Sequence, residues 1–242
     1  MFEIINHKLF EMKKSLIVLL TLFSCVLSAQ SVFFLHGVKI SNKDSKAFES
    51  IEMEYMSKLA QDEVNAGRMR GWALLKRVPG IGDASDYKFN YFWVHSFDNI
   101  DQMVDRKLFW QNFKSKFGIE ISSLGPVSWK GNGRYFFKTV TEFQTGDAGK
   151  YVILNDGKPE SLEKAMELAI KGGEYFEKNA KKHGMTGWGM ATTIAPQDMH
   201  NESNIFFWDV YDSMSGVMKH MALESVIAEV PNELNEAFSA NM

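Results

Sequence analysis

Two stretches of this chain repeat one another in outline. RMRGWALLKRVPG from Arg68, a Gly/Asp-rich turn and YKFNYFWVHSF to Phe97 are matched later by GMTGWGMATTIAP from Gly184, a polar turn and NIFFWDVYD to Asp212. Gly71-Trp72 falls on Gly187-Trp188 at an offset of 187 − 71 = 116, and Asp98 on Asp212 at 212 − 98 = 114. Each copy consists of two β-branched, aromatic runs around a turn, the pattern of a β-hairpin. Recurrence at this spacing predicts a duplicated domain.

The flanking elements repeat as well. Ser31 to Ile40 reads as a strand. Phe48, Ile51, Tyr55 and Leu59 then fall on one helical face, with Asp44 or Ser45 able to cap the helix and Gly67 to stop it. The hairpin strands are Met69 to Val78 and Tyr87 to Phe97, around a turn from Pro79 to Asp83. Asp98 is expected to cap a helix carrying Ile100, Met103, Phe113 and Phe117, followed by a strand from Tyr135 to Phe143. In the second half Tyr151 to Leu154 is a strand, Asn155-Asp156-Gly157 a turn, and Leu162, Met166, Ala169, Gly173 and Phe176 a helical stripe ending at Gly184. After the second hairpin, Asp212 is expected to cap a helix along which Met214, Met218 and Met221 lie, with Met218 and Met221 read as flexible core filling over copper binding. The tail from Ala222 to Met242 reads as helix around Pro231, and no clear last strand closes this half. The fold class is therefore α+β, with two tandem β-α-β-β-α units, residues 30–146 and 147–242, each a split βαβ or ferredoxin-like arrangement.

Two such units, with their paired Gly-Trp hairpins, resemble the dimeric α+β barrel superfamily in fused form. The resemblance covers Val32 to His220 and includes antibiotic-biosynthesis-monooxygenase-like and stress-responsive barrels. It implies two sheets facing each other around an interior cavity, with helices outside. Members include cofactor-free oxygenases, haem enzymes, isomerases, lyases and non-enzymatic proteins, so fold alone selects no activity.

Residues Met12 to Gln30 carry two lysines, an apolar run from Leu16 to Phe23 and a small-residue exit, the layout of a secretory signal peptide occupying residues 1–29. The run is shorter than the ~20 apolar residues that span a bilayer. A periplasmic or secreted protein is expected, with a lipoprotein anchored through Cys25 as the alternative. Cleavage after Ala29 removes the single cysteine and with it thiol catalysis and cysteine metal sites. The net charge of −3, without blocks of like charge, argues for neither nucleic acid nor an anionic membrane as partner. Aromatic residues make up 13% of the chain, enough to line a cavity for a small organic molecule. Fusion of two units is compatible with a monomer or a homodimer.

Alternation along a strand places Tyr91, Trp93, His95 and Phe97 on one face, and their repeat partners are Ile205, Phe207, Asp209 and Tyr211. His95 thus aligns with Asp209. If both face one cavity, the carboxylate orients the imidazole as a general base, with Tyr91 or Tyr211 as hydrogen-bond donor. The plainer alternative is two hydrogen-bonded strand ends beside helix caps. His36, in the first strand, is an acid/base candidate, an axial haem ligand or a satisfied core histidine. Trp72, Trp188, Trp93 and Phe207 are either an aromatic wall for a flat ligand or core. One of Lys76 and Arg77 can point inward towards an anion. His183, His200 and His220 lack metal-ligand spacing, and no dedicated metal site or obligatory cofactor is expected. The alternative to an enzyme is a non-catalytic ligand-binding or interaction module. Expression of the full chain in a bacterial host should yield an exported product whose intact mass begins at Gln30. A mass beginning at Cys25 with added acyl chains would establish the lipoprotein instead.

Overall fold

The computed structural model describes residues 30–78, 88–106, 108–125, 127, 129–146, 149–197 and 203–240. The signal segment, the Pro79–Asp83 turn and His200 lie outside them. Strand β1 (Val32–Ile40) leads into a helix in three contiguous pieces: α1 (Ser45–Ile51), a π-helical turn (Glu52–Met56) and α2 (Ser57–Asn65). The hairpin β2 (Gly71–Lys76) and β3 (Tyr91–Phe97) follows, then the short helices α3 (Ile100–Val104) and α4 (Phe113–Phe117). A long strand β4 (Trp129–Gln144) crosses into the second half, which runs β5 (Tyr151–Gly157), α5 (Leu162–Asn179), β6 (Met185–Ala195), β7 (Ile205–Tyr211), α6 (Met214–Met221) and α7 (Asn232–Ser239).

The seven strands form one antiparallel sheet in the order β2-β3-β1-β4-β6-β7-β5. β4 makes it continuous: its first part pairs with β1, from Trp129↔Ile40 to Lys138↔Val32. Its second part pairs with β6, from Phe136↔Ala195 to Gln144↔Gly187. The repeat seen in the sequence is kept residue by residue. Trp72 sits opposite His95 in the first hairpin and Trp188 opposite Asp209 in the second.

One face of the sheet carries Phe33, Leu35, Phe137, Ala191 and Phe206 as a cluster built only from strands, with Phe92, Val94, Tyr135, Leu154 and Trp208 around it. Phe33 meets Trp208 edge-to-face with ring centroids 5.3 Å apart. In a flat sheet β1 and β7 would lie three spacings apart, roughly 14 Å. The sheet therefore curls towards this face. The opposite face is covered by the helices, in one core in the second half and two clusters in the first.

Several sequence expectations are corrected in detail. The barrel interior, expected to be a cavity, is packed with aromatic rings. The caps stand one residue later than Asp98 and Asp212: Asn99 accepts the amide of Gln102 at 2.8 Å and Ser213 that of Gly216 at 3.2 Å. Both Asn99 and Ser213 stand in the extended backbone a cap requires. Asn155, Asp156 and Gly157 continue β5 because β7 extends far enough to pair with them. Met218 and Met221 are exposed and not core, since the short α6 turns only Gly216 and Val217 fully inward.

Gly189 is the flat spot on which the Trp208 ring lies. A Cβ at Gly189 would come within 2.0 Å of Trp208 Cζ2. Gly189→Ala must displace that ring from Phe33, and overpacking of this kind costs about 3 kcal/mol. A lower urea midpoint with an unchanged slope is the expected readout.

Candidate functional site

The two halves share a backbone frame but differ in how the helix meets the sheet. In the second half, α5 presents Ala165, Ala169, Gly172 and Gly173 to the strands, all buried. A Cβ on Gly173 would stand 3.2 Å from the Trp188 ring, so helix and sheet are in contact. Trp188 packs on Phe176 and Phe207, and this core is solid. In the first half the corresponding face is bulky and polar. Glu52 lies seven residues past Ser45, where Ala169 lies seven past Leu162. The helix adopts its π turn from Glu52 onward, and such turns recur at functional sites. Between this helix and the sheet remains a cavity of about 480 Å³.

Its floor is two rows of cross-strand neighbours. One runs Trp72, His95, Phe34, Phe136 and the other Leu74, Trp93, His36, Arg134, across β2, β3, β1 and β4. Of these, Trp72, His95, Phe34, Trp93, His36 and Arg134 line the space. Phe48, Ile51, Glu52 and Met56 form the helical wall. Arg106, Phe109 and Trp110 close one side, and Ile121, Ser122, Gly125 and Val127 another.

Electrostatics differentiate these groups. His95 is 7% exposed, its ring stacked on Phe34 at 4.6 Å and against Phe109 at 5.7 Å. Burial, reinforced by Arg106, His36 and Arg134, pushes its pKa down to about 3. It is a neutral imidazole at physiological pH, and a weak proton acceptor there. Glu52 is 6% exposed and accepts a hydrogen bond from Trp93 Nε1 at 2.9 Å. Burial raises its pKa to about 7, and the Trp93 bond only partly offsets this. A carboxyl group poised near neutrality is the better acid/base of the two. The Arg106 guanidinium lies 4.8 Å from the Phe34 ring centre and donates from Nη1 to the Met103 carbonyl at 2.7 Å. Burial, then Arg134, holds its pKa below the usual arginine range.

The structure thus gathers His36, His95, Trp72 and Trp93 at one cavity but does not bring Asp209 to His95. Four strand spacings, roughly 19 Å along the sheet, separate β3 from β7. Asp209 sits in the solid half, accepts from Asn155 Nδ2 at 3.3 Å and lies 4.0 Å from His220 Nε2. Burial raises its pKa to about 7. The error lay in which face looks inward: the His95 and Asp209 faces are both helix-covered, on opposite halves. Tyr91 donates to Glu49 at 2.5 Å and packs beside the cavity without lining it, and the Tyr211 hydroxyl is 2.7 Å from His220 Nδ1. Trp188, Phe207 and Tyr211 belong to the second core. Lys76 is an exposed strand end paired with Glu49 at 2.7 Å.

Glu52, Arg106 and Arg134 were missed. Glu52 was detectable, because Phe48, Glu52, Met56 and Ala60 form an i, i+4 row in which one carboxylate interrupts apolar residues. Arg106, in an irregular segment, gave no such signal.

Two solved structures share this architecture. A proposed monooxygenase from Lactobacillus acidophilus NCFM superposes with a TM-score of 0.52 at 15% identity, over 87% of each chain. A second, from Fusobacterium nucleatum subsp. nucleatum ATCC 25586, gives a TM-score of 0.52 at 12% identity over 89% of each chain. The fold is that of the dimeric α+β barrels, fused in one chain. No family model matches this barrel, nor does any curated protein. Among the described residues no helix is long and apolar enough to cross a membrane. No group of three or more His, Cys, Asp or Glu there is arranged to hold a metal ion.

The barrel's stability should carry the signature of the raised carboxyls. A carboxyl with a folded-state pKa of about 7 against 4.5 keeps its proton more tightly in the folded state. Stability is then greatest below pH 4.5 as far as this group is concerned, and falls as pH rises through 7. The loss amounts to roughly 3 kcal/mol at 1.36 kcal/mol per pH unit. Glu52→Gln should be the more stable protein at pH 8 and show a smaller decline in urea midpoint between pH 5 and 8.

Proposed function

We propose that this chain is an exported barrel protein whose first half binds a planar, largely apolar organic molecule and exchanges a proton with it through Glu52. The observation that carries this reading is a carboxyl group with a pKa near 7, held by Trp93 in a cavity of about 480 Å³ floored by aromatic rings. A space of that size falls within the range of small-molecule sites. Glu52 in its carboxylate form takes a proton from an acidic C–H or O–H of the ligand and leaves a delocalised anion. Trp93 Nε1–H fixes the carboxylate, and the guanidinium groups of Arg106 and Arg134 stabilise the developing charge. Proton abstraction of this kind is the step common to cofactor-independent oxygenases, isomerases and lyases. His36 and His95 orient the ligand, His95 as a neutral hydrogen-bonding ring. The fold likeness to two proposed monooxygenases is compatible with this class but does not select within it.

The non-catalytic alternative keeps the cavity and removes the proton transfer. 5-Nitrobenzisoxazole separates the two, because loss of its ring C–H proton to a base releases a coloured phenolate. The protein should accelerate that release, with a rate rising as pH passes through about 7. Glu52→Gln should lower it by about 100-fold or more, the usual size of a positioned base. Binding of the compound, seen as tryptophan quenching, without any acceleration over acetate buffer would make the protein a binding module.

A haem is the second reading, favoured by two imidazoles facing an apolar space that also holds two guanidinium groups. The donor set fits in kind, since the neutral form of His95 is the form that ligates a metal. His36 or His95 would hold the iron, and Arg106 and Arg134 the carboxylate side chains. A haem would supply redox chemistry. Haemin titration with a shifted Soret band, lost in His36→Ala or His95→Ala, would establish it; an unshifted band would dismiss it.

A further inference from the structure

We infer that the molecule bound in this cavity carries a carboxylate, held by Arg106 and Arg134. The inference rests on the reading of this cavity as a small-molecule site and names the class of ligand it takes. Three other basic residues near the sheet have carboxylate partners: Arg68 with Glu63 at 2.6 Å, Arg70 with Glu142 at 2.7 Å and Lys76 with Glu49 at 2.7 Å. Arg106 and Arg134 both line the cavity, and among the described residues neither forms an ion pair. They are close enough to repel one another. Arg106 is partly desolvated on the face of Phe34, with one of its five N–H donors used on the Met103 carbonyl. A partly desolvated guanidinium beside a second positive charge is unfavourable unless an anion joins them.

Glu52 does not fill that role. Its carboxyl is engaged by Trp93, on the helical wall, and burial favours its neutral form. His95 adds no charge. The cavity therefore combines two positive groups, Arg106 and Arg134, with an aromatic floor at Phe34, Trp72 and Trp93. A guanidinium fork is matched in geometry by a carboxylate, which accepts two parallel N–H bonds. The ligand is thus a planar acid: the carboxylate lies on the arginines, the ring system over the floor, and the proton-labile position at Glu52.

The test compares 2-naphthoate with its neutral methyl ester, using quenching of the cavity tryptophans Trp72, Trp93 and Trp110. Naphthoate should bind about tenfold or more tightly than the ester, as a charge-assisted contact implies. Arg134→Gln, an exposed strand position, should erode that advantage, and Arg106→Gln with Arg134→Gln should abolish it. Thermal melts of each variant confirm folding, and Arg134→Gln alone suffices if the double variant fails to fold. Equal affinities for acid and ester, or an advantage that survives Arg134→Gln intact, would overturn the inference and leave the cavity reading standing. Failure of both probes to bind would remove the cavity reading and this inference with it.

Discussion

The pairing of one strand with both halves is the constraint on which this molecule is built. β4 holds β1 along its first part and β6 along its second, so that two copies of one motif become a single sheet. The ladder fixes the relative register of the halves. Aromatic contacts across the curl, such as Phe33 on Trp208 and Phe137 on Phe206 at 4.6 Å, then close the interior face. With that face occupied by rings, the cavity of about 480 Å³ lies between the sheet and the helices of the first half.

Duplication supplies an internal control for what makes a site. The hairpins agree in register, Trp72 opposite His95 and Trp188 opposite Asp209. The difference lies in the helix above them. Small residues let α5 settle on Trp188, whereas the first helix meets Trp93 through the larger Phe48, with ring centroids 5.7 Å apart, and through Glu52, leaving the cavity beside them. Glu52 remains buried there because Trp93 Nε1–H satisfies one of its oxygens. A carboxyl group in this setting weakens the folded protein at alkaline pH, a cost that structure alone does not call for.

The sequence revealed the frame better than the cavity. The Gly-Trp hairpins, the element order and the lack of a last strand among the described residues were legible because local periodicity and a repeat offset report backbone pattern directly. The alternation that put Tyr91, Trp93, His95 and Phe97 on one face was also correct. Which side of the sheet that face occupied was not legible, because period-two alternation is identical on the two faces of a strand buried on both sides. Pairing His95 with Asp209 followed from choosing the wrong side. Helix caps slipped by one residue because Asp98-Asn99 and Asp212-Ser213 offer two competent capping residues in a row. Arg106 reaches the site from a segment with no period, so only the fold brings it to Phe34.

Trp72 stands on β2, an edge strand with one hydrogen-bonded neighbour among the described residues, while Phe34 stands on β1, flanked on both sides. One aromatic floor thus spans the least and the most protected parts of a sheet. Backbone amides at an edge open to solvent more often than those inside. An occupant lying across Trp72 and Phe34 couples the two, so deuterium uptake along β2 becomes a gauge of occupancy even for a ligand that leaves no optical trace.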